Sequence, residues 1–162
     1  MCRVMLGLLL LGAAPALGSA QSYGEHHGQG YAYFAPGASS PGGSGTIQMG
    51  GGAEGLVYKG VGLGGELGYL VPWQSFTHGL GVVSFDGSYH FNRSQKLVPF
   101  VSSGYTLFFG SGAVNGINFG GGVNYWFRER VGLRLEFRDQ VGIELEGPSS
   151  HFYGLRVGLS FR

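Results

Sequence analysis

Six charged side chains are spaced so that strand alternation would bring them into one enclosed space: Glu66, Asp86, Arg134, Glu136, Arg138 and Arg156. Three carboxylates and three guanidiniums in mutual reach could relay a proton, gate a path or neutralise one another. Charge is tolerated away from water only when it is paired. Pairing alone accounts for a balanced set, so the expectation is a structural plug rather than a gate or a proton path. Other chemistry-bearing residues are less organised. Ser149, Ser150 and His151 stand close to Glu144 and Glu146, the ingredients of a hydrolase site. A polar connection collects such residues by chance, and no catalysis is expected there. Gly60–Gly65 (GVGLGG) matches the GxGxxG spacing of a dinucleotide loop. It lies inside a period-two segment and opens no helix, as phosphate binding would require. His26 and His27 follow Glu25, but adjacent histidines lack the spacing of a chelating pair. These residues predict no catalytic site, no cofactor and no metal.

The elements that would hold the six charges are strands. Val131, Leu133, Leu135 and Phe137 alternate with Gly132, Arg134, Glu136 and Arg138 without a slip. Tyr153, Leu155, Val157, Leu159 and Phe161 alternate in the same way with Gly154, Arg156, Gly158 and Ser160. A helix would scatter these residues around its circumference. The rhythm runs back through Gly116–Phe127, Val98–Phe108, Val83–Phe91 and Val61–Val71. It continues more faintly through Gly45–Val57 and Gly30–Ala38, where glycine blurs it. That makes eight segments, an even count of the kind bacterial barrels use. Short polar turns at Tyr58-Lys59, Asn92–Lys96 and Arg128–Arg130 alternate with longer stretches at residues 36–44, 72–78, 108–115 and 139–150. Starting the first strand in the periplasm puts all the turns on one rim and all the longer loops on the outer one. No second domain, linker or internal repeat interrupts the pattern.

The polarity of the two faces separates a membrane barrel from a soluble sandwich. The polar positions are largely Gly, Ser and Asn with isolated charges, too small for a solvated surface. They suit the lumen of an eight-stranded barrel, which its own side chains must fill. The apolar positions carry aromatics assigned to strand ends, Tyr69, Tyr89, Phe91, Phe127, Phe137, Tyr153 and Phe161, as at the two interfaces of a bilayer. Glu66 and Asp86, on the third and fourth strands, would face the arginines of the seventh and eighth across the lumen. The expected fold is all-β: an eight-stranded antiparallel up-and-down transmembrane β-barrel.

Composition agrees with that placement. Of 162 residues 34 are glycine, and 14% are aromatic but only 12% charged, where an average domain carries about 25% charged residues. A net charge of +1 offers no field for nucleic acid. Residues 1–20 have the layout of a cleaved signal peptide: Arg3, the apolar run Val4–Leu11, then small residues ending in Gly18-Ser19-Ala20. The run is too short to cross a bilayer as a helix, which takes about 20 residues. Cleavage is expected before Gln21, leaving residues 21–162 as the barrel domain and removing Cys2, the single cysteine. The mature chain then has no thiol, disulfide or thiolate metal site.

The chain resembles the small outer-membrane β-barrel family that includes the OmpA transmembrane domain and OmpX. The resemblance is most specific in Tyr89–Val101 (YHFNRSQKLVPFV) and Tyr125–Arg138 (YWFRERVGLRLEFR). Gly158-Leu-Ser-Phe161 resembles the C-terminal aromatic signal read by the barrel-assembly machinery, here followed by Arg162. The resemblance implies residence in the outer membrane of a Gram-negative cell and contact with outer-membrane lipid and lipopolysaccharide. It further implies the assembly machinery as a partner in biogenesis, an ion-paired lumen and a monomer. It implies no cell-wall anchoring, because the periplasmic peptidoglycan-binding domain of OmpA is absent. Lipid A deacylases and palmitoyltransferases share this size class, but the deacylase His-x-Ser-Asn motif is missing. The expected function is a non-enzymatic integral barrel with a structural or surface-interaction role. The alternatives are an adhesin or receptor acting through its external loops, and a lipid-modifying enzyme using Ser149, Ser150, His151 and Glu144.

Overall fold

A computed structural model of the chain describes residues 27–74, 79–93, 95–143 and 149–162. The expected leader lies outside the described residues, as do His26, Glu144 and Glu146. Eight strands follow one another: β1 (Gly28–Ser40), β2 (Gly45–Tyr58), β3 (Val61–Pro72), β4 (Leu80–His90), β5 (Leu97–Phe109), β6 (Ala113–Trp126), β7 (Val131–Ile143) and β8 (Ser150–Phe161). Each pairs antiparallel with the next, and β1 pairs with β8, so the sheet closes into the expected barrel. Strands of 11 to 14 residues reach or exceed the roughly 9–11 that cross a bilayer when tilted.

The connections differ from the expectation of short turns on one rim and longer loops on the other. β1 runs on to Ser40, β5 to Phe109 and β7 to Ile143, into stretches that the sequence rhythm assigns to loops. In β7, Val141 and Ile143 prolong the outward series beyond Phe137 while buried Gln140 prolongs the inward one. One rim is therefore left with connections at residues 41–44, 73–79, 110–112 and 144–149, and the other, where β1 begins and β8 ends, with 59–60, 91–96 and 127–130. The two rims have connections of similar length. The tightest is Lys59-Gly60, where both residues have positive φ (35° and 96°). That is the geometry a two-residue hairpin needs to match strand twist, and glycine adopts it without strain.

Alternation sorts the side chains by face. Leu67, Phe85, Leu63 and Phe137 point outward and are more than half exposed, at 66%, 63%, 59% and 54%. Phe137 sits at the middle of β7 rather than at a strand end, since β7 extends to Ile143. Aromatics that do lie near the rims include Tyr58, Tyr89, Phe91, Tyr125, Phe127 and Phe161 at one, and Tyr69, Trp73, Phe109 and Tyr153 at the other. Inward positions form layers along the barrel axis. Leu70, Val82 and Phe108, with Leu80, Val114 and Phe152 packed on them, make an apolar layer toward the rim of residues 41–44. Polar and charged residues fill the middle.

Candidate functional site: the charged lumen

β7 sets three charges in a row. Arg134, Glu136 and Arg138 occupy successive inward positions, so the carboxylate lies between two guanidiniums of its own strand. Arg134 Nε donates to Glu136 Oε2 at 3.0 Å, and Arg138 Nη2 lies 2.6 Å from Glu136 Oε1. Arg138 then reaches across the lumen to Asp86 on β4, with Nη1 donating to Oδ2 at 2.9 Å. Arg156 on β8 donates to Glu66 Oε2 on β3 at 2.8 Å and to Gln48 Oε1 at 3.2 Å. Glu66 and Arg138 lie 3.5 Å apart, which joins the two halves. All six charges expected to meet are thus in one connected set, and Glu66, Arg134, Glu136, Arg138 and Arg156 are each 3% exposed or less.

Side chains that sequence reasoning left out complete the arrangement. Tyr33 and Tyr31 on β1 donate to the two oxygens of Glu66 at 2.8 and 3.1 Å. Arg134 lies over the rings of Phe100 and Tyr31, with its guanidinium carbon 3.9 and 4.4 Å from their centroids; Arg156 lies over Tyr33 at 4.2 Å. A guanidinium flat on a ring retains favourable electrostatics where water is excluded. Asn118 donates to Asp86 at 2.8 Å, and Ser102 donates to Glu136 at 3.4 Å. The hydroxyls and amides were legible only as small polar residues of the inward phase.

A second cluster lies toward the rim where β1 begins and β8 ends, and it corrects the expectation of three lumen carboxylates in total. Glu54 on β2, itself buried, meets His90 Nε2 at 2.7 Å and accepts from Gln29 at 3.0 Å and from Ser88. His90 stacks on Phe100 with centroids 5.4 Å apart. In the sequence Glu54 hides in a glycine run, where alternation gives no contrast.

The remaining candidates are dispersed. Ser150 and His151 are neighbours on β8 and so point to opposite sides of the sheet. His151 Nδ1 lies 3.1 Å from Asp139 Oδ2 on the outer face near the rim. The carboxylate beside His151 is thus Asp139, whereas Glu144, expected in that role, falls outside the described residues. Gly60–Gly65 spans a hairpin turn and the start of β3, with no helix following. No group of three or more metal-ligating side chains occurs among the described residues.

Comparison with known proteins places the chain by shape. No family model matches it, and no curated protein sequence does. Among solved structures it is similar to Neisserial surface protein A, at 15% identity over 83% of this chain and 94% of that one, with a TM-score of 0.64. It is also similar to the N-terminal β-barrel domain of Pseudomonas aeruginosa OprF, at 22% identity over 83% and 96% of the two chains, with a TM-score of 0.59. The outer membrane protein OprG from Pseudomonas aeruginosa aligns at 11% identity over 84% and 96%, with a TM-score of 0.53. At these identities the likeness is one of fold: a small eight-stranded barrel.

Proposed function

We propose that the chain is an integral outer-membrane β-barrel whose lumen is closed by its own side chains and whose role is structural or surface-interacting rather than catalytic. The observation that carries this reading is the inverted polarity of the molecule. Large apolar side chains such as Leu67 and Phe85 stand exposed on the outside, while Arg138 and Glu136 are buried at its centre. Water outside would favour the reverse arrangement, and lipid outside favours this one. The similarity to OprG, an outer membrane protein, supports the choice of membrane. Closure of the lumen is supported by the cross-barrel pairs Arg138–Asp86 and Arg156–Glu66 and by the apolar layer stacked above them. Connections of three to seven residues along the rim of residues 41–44 favour a scaffold over an adhesin built on long loops.

The test is expression in a Gram-negative host followed by envelope fractionation and N-terminal sequencing of the membrane-extracted chain. The protein is expected in the outer-membrane fraction, beginning at Gln21 and migrating differently on gels before and after boiling. An intact Met1, or recovery from the soluble fraction, would overturn the reading. Lipid A recovered unchanged after expression would agree with the absence of catalysis, and a new lipid A species would contradict it.

A further inference from the structure

Outside the lumen, every lysine and arginine after residue 20 belongs to one rim: Lys59, Arg93, Lys96, Arg128, Arg130 and Arg162. They occupy all three connections of that rim and the residue following β8. Glu129 is the one carboxylate side chain in those connections, whereas the four connections of the opposite rim hold no lysine or arginine and include Glu144 and Glu146. Lys59, Lys96, Arg128 and Arg130 are exposed. Arg162 lies over the Trp126 ring at 3.8 Å. Burial, and then the neighbouring charge of Arg93, push the Arg162 guanidinium below its ordinary pKa.

The same rim carries outward aromatics just inside the cations. Tyr58, Phe127, Phe161, Tyr125, Phe91 and Tyr89 are exposed to lipid or solvent, and Lys59 Nζ stands 5.2 Å over the Tyr58 ring. Rings of this kind settle at the membrane interface, which puts the cations beside them at the depth of lipid phosphates. The opposite rim carries aromatics without lysine or arginine, so the cations are what distinguish this one. Its rings hold them at headgroup depth rather than out in the water a soluble acidic partner would occupy. We propose that this rim is a collar for anionic phospholipid, gathering phosphatidylglycerol-type headgroups around Lys59, Lys96, Arg128 and Arg130. The proposal rests on the transmembrane reading above and names the lipid that this end of the barrel selects.

The mature chain is reconstituted in phosphatidylcholine bilayers carrying trace spin-labelled phosphatidylglycerol or spin-labelled phosphatidylcholine. The motionally restricted fraction of each lipid gives its relative affinity for the barrel perimeter. At low salt phosphatidylglycerol is expected to be preferred by about threefold or more. The preference should fade toward unity in 1 M salt, where the screening length is about 3 Å. The variant Lys59→Asn/Lys96→Gln/Arg128→Gln/Arg130→Gln should lose the preference; asparagine is chosen at residue 59 because it tolerates the positive φ there. The smaller Lys96→Gln/Arg130→Gln variant should show an intermediate value and serves if the larger one fails to fold. A wild type without preference, or a variant that retains all of it, overturns the collar. Failure of the wild type to insert into either bilayer would bring down the transmembrane reading and the collar together, whereas insertion without selectivity removes the collar alone.

Discussion

Glu66 is held by groups from three strands: two tyrosines of β1, Arg138 of β7 and Arg156 of β8. Such convergence needs room, and glycine supplies it. A Cβ built at Gly52 would stand 2.8 Å from the Tyr31 ring, and one at Gly50 or Gly68 2.8 Å from the Tyr33 hydroxyl. The glycines of β2 and β3 are therefore the floor on which the two tyrosines lie. Removing the carboxylate leaves two guanidiniums short of a counter-charge in a confined space. Glu66→Ala is expected to cost about 3–5 kcal/mol. Tyr33→Phe deletes a single hydrogen bond to a charged group and should cost about 1.5–3 kcal/mol. Both are read from urea unfolding in lipid vesicles, and because the side chains touch, the double variant should lose less than the sum. Wild-type stability in Glu66→Ala would remove this carboxylate from the support of the barrel.

The strands carry the inside–outside distinction, and a single substitution on an outward position tests it. Leu67 lies mid-strand on β3 and is 66% exposed. On a soluble protein, arginine at so exposed a site would change stability by about 0.5 kcal/mol or less. On a lipid-facing strand near the bilayer midplane it should cost about 2–4 kcal/mol. Unfolding titrations of Leu67→Arg in bilayers decide between these values. β7 and β8 were readable from sequence because their outward residues are large and apolar while their inward ones are charged or glycine. β1 inverts that cue. Tyr31 and Tyr33 point inward and Phe34 outward, so ring size misleads, and only the contacts with Glu66 explain the choice. Val82, Phe108 and Phe152 are likewise apolar residues facing the lumen. Whether an inward position wants a charge or a ring depends on its height along the barrel axis, which alternation does not encode. The strand ends were unreadable for a related reason: a barrel wall that continues to Ile143 needs no more than the same weak alternation a polar connection can show.

Taken whole, the molecule stacks an apolar layer on a charged one, with the Glu54–His90 cluster below. Eight strands enclose a space about wide enough for side chains alone. Planar-bilayer recordings of the wild type are therefore expected to show little or no conductance, while Glu66→Ala should free an arginine and admit small openings. A large, steady wild-type current would rule out a closed lumen. The wall itself has one unusual join. Seven of its ladders link consecutive strands, but the eighth brings Gly30 to Phe161, from opposite ends of the described chain. Small residues line this seam: Ala32 opposite Leu159, Gly37 opposite Gly154, and Gly158 opposite Tyr33. Neighbouring strands can find each other through short excursions, whereas this join must wait for almost the entire polymer and carries the largest entropic cost of ring closure. Until it forms, two strand edges stand with unanswered amides and carbonyls, which hydrocarbon does not accept. If the barrel spans a membrane as proposed, entry into the bilayer and completion of the ring are one event, and a chain lacking its final strand should fail to insert rather than insert as a slightly smaller barrel.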